Sequence, residues 1–229
     1  MYLLAVDTAT NAGGAALARN AEVVGKVMVK TPMKYSDNII PIVDFLLNQH
    51  GLQMKDLDAL IVPTGPGSFT GLRIGMAVVK AFGQALDIPA VGISTLEALA
   101  YRFRHVQERI VAMIDARRQQ VFAAAFEVTQ KDVTPLSEEV VVAPADWLKD
   151  FDQTEFVFVG DGAQLYRSAV ESLLPGSRVL ATDNQILEPL CELGLRRFAA
   201  GVQAPVRELK ANYVRPSDAE LGRKLGPAQ

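Results

Sequence analysis

The chain has 229 residues, 49% of them hydrophobic, with 23 basic residues against 26 acidic ones and a net charge of -3. That length allows one large core or two modest lobes, and the charge balance excludes the broad basic footprint of a protein that grips nucleic acid on its own. One cysteine and two histidines exclude an internal disulfide and leave too few soft ligands for a zinc site.

No apolar run approaches the roughly 18–20 residues of a membrane span and no basic-then-apolar leader opens the chain, so a cytoplasmic protein is expected. Tyr2 to Val6 reads as a buried strand entering the small, polar turn Asp7-Thr8-Ala9-Thr10-Asn11. Gly14 to Arg19 and Val23 to Lys30 follow as strands, the second keeping the period-two alternation of a sheet with one wet face. From Tyr35 to His50 the apolar positions Ile39, Ile42, Val43, Leu46 and Leu47 recur at helical spacing, with Gly51 as the stop. Pro41 lacks an N–H and is tolerated only in about the first turn, which predicts a helix start near Asn38.

Ala59 to Val62 is the next strand. A glycine turn and a helix to about Leu86 follow it, then a strand over Pro89 to Ile93 and a helix over Thr95 to Arg104. There the pattern restarts. Arg109 to Ile114 runs apolar into Asp115, a turn carries Arg117 and Arg118, and Val121 to Val128 returns as a strand. Phe156 to Val159 enters Gly160-Asp161-Gly162 as Leu60 to Val62 enters Gly65-Pro66-Gly67. The echo predicts an α/β protein of two related lobes, residues 1–105 and 106–229, each a hairpin-led mixed sheet flanked by helices. The second lobe ends in a helix over Ile186 to Ala200, and Gly226 to Gln229 are expected to fray.

The glycine turn, Gly65-Pro66-Gly67-Ser68-Phe69-Thr70-Gly71-Leu72-Arg73-Ile74-Gly75, lies between a strand and a helix whose N-terminus Ser68 or Thr70 can cap. Such a junction also binds phosphates, but no Gly-Lys-Ser/Thr follows, and the spaced glycines and downstream acid of a dinucleotide site are missing. The helix is apolar or small nearly all round, with Gly71, Gly75 and Gly83 on one edge and Ala77, Ala81 and Ala85 on another. It is therefore buried on most sides, against its own chain, against a partner, or against both.

Paired hairpins of this kind are the plan of the actin-like ATPase (ASKHA, ribonuclease H-like) fold, whose kinases pin phosphates with an Asp-x-Gly turn. Asp7, Thr8, Thr10, Asp115, Arg117, Gly160 and Gly162 are accordingly candidate nucleotide contacts. The glycine is absent from Asp7-Thr8-Ala9-Thr10, however, and Asp115-Ala116-Arg117-Arg118 carries two long side chains in its place. An autonomous nucleotide-dependent small-molecule kinase is the alternative these hairpins motivate. No metal site is expected, and Cys191 reads as core rather than nucleophile.

Four motifs in this order, Asp7-Thr8-Ala9-Thr10, Gly65 to Gly75, Ile114-Asp115-Ala116-Arg117 and Tyr213-Val214-Arg215-Pro216, resemble those of the bacterial TsaB (YeaZ) family over nearly the whole length. The resemblance implies an actin-like fold and a part in making N6-threonylcarbamoyladenosine beside the tRNA anticodon. It implies no catalysis by this chain, since the transfer belongs to a paralogue, TsaD, which the ATPase TsaE joins. It also implies homodimers when TsaD is absent; the charge balance leaves tRNA contact to the complex, and no tightly bound cofactor is expected, a partner boundary being the one place open to ATP or ADP. The expected partner surface comprises Ile39, Ile42, Val43 and Leu46 on the first long helix and Thr70, Gly71, Arg73, Ile74, Gly75 and Val78 on the second, with a bulky residue at Gly75 as its probe. Two positions depart from many relatives: Tyr35 stands where they have histidine, and Thr64 where they have arginine.

Overall fold

A computed structural model describes residues 1–20, 22–30, 35–106, 108–151 and 156–215. Pro216 and the tail expected to fray lie outside the described residues. The first half of the chain forms β1 (Tyr2–Asp7), β2 (Gly13–Arg19), β3 (Glu22–Val29), α1 (Tyr35–Gln49), β4 (Ala59–Gly65), α2 (Phe69–Leu86), β5 (Ala90–Ser94) and α3 (Thr95–Tyr101). The second half forms β6 (Arg109–Arg117), β7 (Gln120–Val128), β8 (Val133–Pro135), β9 (Val140–Val142), α4 (Pro144–Trp147), β10 (Val157–Val159), α5 (Asp161–Leu165), α6 (Arg167–Leu173), β11 (Arg178–Val179) and α7 (Leu187–Ala199).

One sheet runs β3-β2-β1-β4-β5 and the other β11-β10-β6-β7-β8, with β9 also on β7. In both, the leading hairpin is antiparallel and the strands beyond it are parallel to its first strand. The two orders are equivalent, so the expected duplication is present as topology.

Strand alternation decides the layers. Along β1, Leu4 and Val6 face α1 and α2, while Leu3 and Ala5 face the other way, toward the second sheet. There α3 and α7 fill the space between the sheets, and Leu3, Ile61, Leu96, Leu99, Ile110, Ala112 and Leu190 belong to one continuous core. The outer face of the second sheet is covered by α5 and α6, with Met113, Phe158, Ala163 and Val170 buried there.

The lobes exchange their cover. α3 precedes the link near residues 103–108 yet packs on β6 and β7, and α7 follows it yet packs on β1, β2 and β5. Gly194 makes the second crossing possible, because a Cβ there would lie 2.4 Å from Cδ1 of Ile61. Beyond α7 the chain stays with the first sheet: Ala204 bridges Ala90, and Val206 fills the space beside Gly83.

Three local expectations differ from the structure. α1 begins at Tyr35, ahead of Asn38, with Pro41 inside it; the proline is exposed, and so is Asp37, whose carbonyl is the one left without its i+4 donor and can turn to water. The helix after β5 stops at Tyr101. The short strands β8 and β9 were not foreseen. Among the described residues no helix is long and apolar enough to cross a membrane.

Candidate functional site

The expected partner surface divides in two. On α1 the helical-period stripe is the face the sheet takes: Ile39, Ile42, Val43 and Leu46 are buried against their own chain. A helix lying on a sheet uses its single apolar stripe for that contact, and these four side chains are spent on the core of their own chain. What α1 presents outward is Ile40, Pro41 and Phe45, with Ile40 54% and Phe45 53% exposed.

α2 starts where Ser68 caps it, its hydroxyl accepting from the Gly71 N–H at 3.2 Å, and ends at Asp87 in the left-handed conformation. Leu72, Met76 and Val79 are buried on the sheet, each contributing about 2 kcal/mol by burial. The glycine edge is also internal. A Cβ on Gly71 would lie 1.8 Å from the Thr8 carbonyl oxygen, and one on Gly75 2.6 Å from Thr8 Oγ1. Gly71 and Gly75 thus serve the approach of α2 to the turn after β1, and a bulky residue at Gly75 would probe folding rather than association. Thr70, Arg73, Ala77, Ala81 and Ala85 are exposed, and Ile74 and Val78 are half-buried.

The turn after β1 is closed on itself. Asp7 is fully buried: its Oδ1 accepts from the Ala9 N–H at 2.8 Å and the Thr10 N–H at 3.3 Å, and its Oδ2 from the Thr10 hydroxyl at 2.6 Å. Burial pushes its carboxyl up to about 6, against those hydrogen bonds. The Thr8 hydroxyl donates to the Gly71 carbonyl at 2.6 Å. Tyr35 pins α1 to the same turn, its hydroxyl accepting from the Gly13 N–H at 2.9 Å and donating to the Thr10 carbonyl at 3.0 Å. Burial raises its phenol, against the Gly13 N–H and with Asp7 adding to the rise.

The Gly65 turn is held by Ala9, whose carbonyl accepts from the Ser68 N–H at 3.0 Å, and by Asn212, whose N–H donates to the Thr64 carbonyl at 2.7 Å. A Cβ on Gly65 would lie 2.6 Å from the Asn212 carbonyl oxygen and one on Gly67 2.8 Å from that of Ala9. These glycines admit neighbouring backbone. In the second lobe Gly160 and Gly162 do the same for β6, since their Cβ atoms would meet Met113 oxygen at 2.2 Å and Ile114 carbon at 2.9 Å.

The hairpin between β6 and β7 carries Arg117, Arg118 and Gln119 at φ of 61°, 53° and 60°, a run that L-residues adopt at a cost of roughly 1 kcal/mol each. The Arg117 N–H donates to Asp115 Oδ1 at 2.9 Å, and Arg215 Nη1 donates to the Ala116 carbonyl at 2.9 Å. The Arg117 side chain is 88% exposed and 3.3 Å from Asp115. The fourth sequence motif is therefore a strap: Tyr213 lies tilted against Phe69 with ring centroids 5.1 Å apart, and the Arg73 guanidinium lies over the Phe69 ring at 4.0 Å.

Asp161 joins the two leading hairpins, accepting from Asn11 Nδ2 at 3.1 Å and from the Asp115 N–H at 3.0 Å. Sequence reasoning weighed the glycines on either side of it and missed the aspartate; a carboxylate between two glycines was the available signal. Cys191 is buried and pushed up to about 12 by desolvation, with Glu188 and Glu192 adding to it, as suits a core thiol. Among the described residues no three His, Cys, Asp or Glu side chains are grouped to hold a metal.

The profile of the family described as TsaD, tRNA N6-adenosine threonylcarbamoyltransferase, matches residues 29–221. The tRNA threonylcarbamoyladenosine biosynthesis protein TsaB of Bacillus subtilis strain 168 is 31% identical over 225 residues, 96% of each chain. Its namesake in Escherichia coli K12 is 30% identical and covers 94% of this chain and 95% of its own. The solved structure of YeaZ from Pseudomonas aeruginosa superposes with a TM-score of 0.80 at 26% identity, covering 93% of this chain and 99% of that one. With near-complete coverage in both directions and the same duplicated fold, the chain belongs to the TsaB (YeaZ) family of tRNA threonylcarbamoyladenosine biosynthesis proteins.

Proposed function

We propose that this chain is a non-catalytic subunit in the formation of threonylcarbamoyladenosine on tRNA, binding a TsaD paralogue through the outer surfaces of α1 and α2. A second copy of the chain takes that place when the paralogue is absent, TsaE joins the assembled pair, and tRNA is reached only through the complex. The observation that carries this reading is the outward surface of the α1–α2 layer. Ile40 and Phe45 are more than half exposed, and α2 beside them offers Ala77, Ala81 and Ala85 with Ile74 and Val78. Exposed apolar side chains next to a small-residue surface suit close helix packing between subunits.

The same reading has the chain bind no nucleotide tightly alone, with ATP or ADP held only at the partner boundary. Both Asp7 oxygens already accept hydrogen bonds within their own turn, and the glycines of the candidate loops are filled against backbone. Calorimetry with Mg-ATP on the purified chain tests this, and tight binding with turnover would favour the kinase alternative.

The association test pairs Phe45→Asp with Ala81→Glu. Both positions are exposed, so stability should change by no more than about 0.5 kcal/mol. Co-purification with TsaD and reconstituted tRNA modification should both fail. Normal pairing by the double variant would overturn the assignment of this surface.

A further inference from the structure

A pocket of about 260 Å3 opens where β3, the turn after α3 and the entry to α7 meet. Lys26 lines it from β3, Arg102, Arg104 and His105 from the turn, and Glu188 from α7. Met28 and Leu187 supply apolar lining. None of these residues belongs to the α1–α2 surface or to the turns joined by Asp161.

The charges do not cancel. Lys26 pairs with Glu188 at 2.9 Å, Arg104 with Glu192 at 2.6 Å, and Arg102 and Lys30 share Asp183 at 2.9 and 2.5 Å. Four full cations thus share three carboxylates, with His105 exposed at the rim, in a chain whose net charge is -3. The field is visible in the acids. The Lys26 hydrogen bond holds Glu188 below the usual carboxylate range against its burial, with Arg104 and Arg102 assisting. Burial pushes Asp183 up, but hydrogen bonds from Lys30, Arg102 and Gln185 outweigh it and leave the acid at about 2.

Donors remain for a ligand. Arg102 engages Asp183 through Nη1 alone, and Arg104 engages Glu192 through Nη2 alone, whereas a guanidinium carries five N–H donors. Glu188 is half exposed, so it can swing aside and release Lys26.

We propose that this pocket binds a small phosphate-bearing anion, either free phosphate or a short-chain phosphate ester, on Lys26, Arg102 and Arg104. Planar guanidinium forks match phosphate oxygens. A pocket of about 260 Å3 suits a phosphate with a carbon body of a few atoms against Met28 and Leu187. Glu188 is the internal anion that a phosphate would displace from Lys26.

The test uses the full chain at fixed ionic strength, titrated calorimetrically with inorganic phosphate, glycerol 3-phosphate and glycerol. Saturable binding of a phosphate probe and none of glycerol is expected. Tighter binding of glycerol 3-phosphate assigns the site to esters, and equal affinity assigns it to free phosphate. Lys26→Met, on an exposed edge strand, should weaken binding at least about tenfold, and Glu188→Gln, which removes the competing anion, should tighten it about threefold to tenfold. Circular dichroism of both variants checks that they fold. A purely structural ion-pair network predicts no gain from Glu188→Gln. No saturation up to about 10 mM, or affinities that neither substitution moves, would overturn the proposal. Either result leaves the subunit role untouched, because the α1–α2 surface is elsewhere.

Discussion

Gly71 and Gly75 lie one helical turn apart and both face Thr8, but the atoms they would strike differ. At Gly71 the obstacle is a backbone carbonyl at 1.8 Å, and at Gly75 a hydroxyl at 2.6 Å. Backbone cannot rotate away, so Gly71→Ala should destabilise the chain by about 3 kcal/mol or more, and Gly75→Ala by roughly half that. Urea denaturation measures both, with Ala77→Ser on the exposed face as a near-silent control. Helical spacing revealed a close-packing edge here. It could not say whether the neighbour was this chain or another, because Thr8 is distant in sequence and only the fold brings it in.

Asp7 makes a pH prediction with a definite sign. Its folded pKa of about 6 stands above the ordinary 3.8, so the folded chain holds the proton more tightly than the unfolded one. Stability from this group is therefore full below about pH 4 and declines as pH climbs to about 6, a loss on the order of 3 kcal/mol. Asp7→Asn should flatten that decline and be the more stable form at pH 7, by thermal melts across the range. A wild-type chain that gains stability between pH 4 and 6 while the variant does not would contradict it.

At the scale of elements, periodicity located α1, α2 and α7 well, and it misplaced what two of them expose. The moment of an amphipathic helix identifies its buried stripe and is silent about the remaining circumference. Ile40 and Phe45, which the stripe passes over, are the large apolar residues that α1 leaves exposed. The short strands β8 and β9 escaped notice because three residues carry too little alternation to register. The C-terminal motif was legible as a motif and not as a strap, since its contacts run to Phe69 and Ala116.

For the whole molecule, the repeat itself was readable from two hairpins separated by about a hundred residues, whereas the exchange of α3 and α7 was not. Nothing in the period of a helix says which sheet it will cover. The exchange leaves one core shared by both sheets, and folding should be correspondingly all-or-none. Far- and near-ultraviolet circular dichroism should report coincident denaturation midpoints. A fragment ending at residue 105 should fail to fold, because Leu3, Ala5 and Ile61 lose their cover from α7. Two separated transitions, or a folded fragment, would refute the shared core.

α7 also fixes an order of events during synthesis. The first sheet emerges from the ribosome nearly a hundred residues before the helix that seals its inner face, so a growing chain carries that apolar surface open until translation is almost complete. Slow codons or a stall anywhere between β6 and α7 would prolong the exposure.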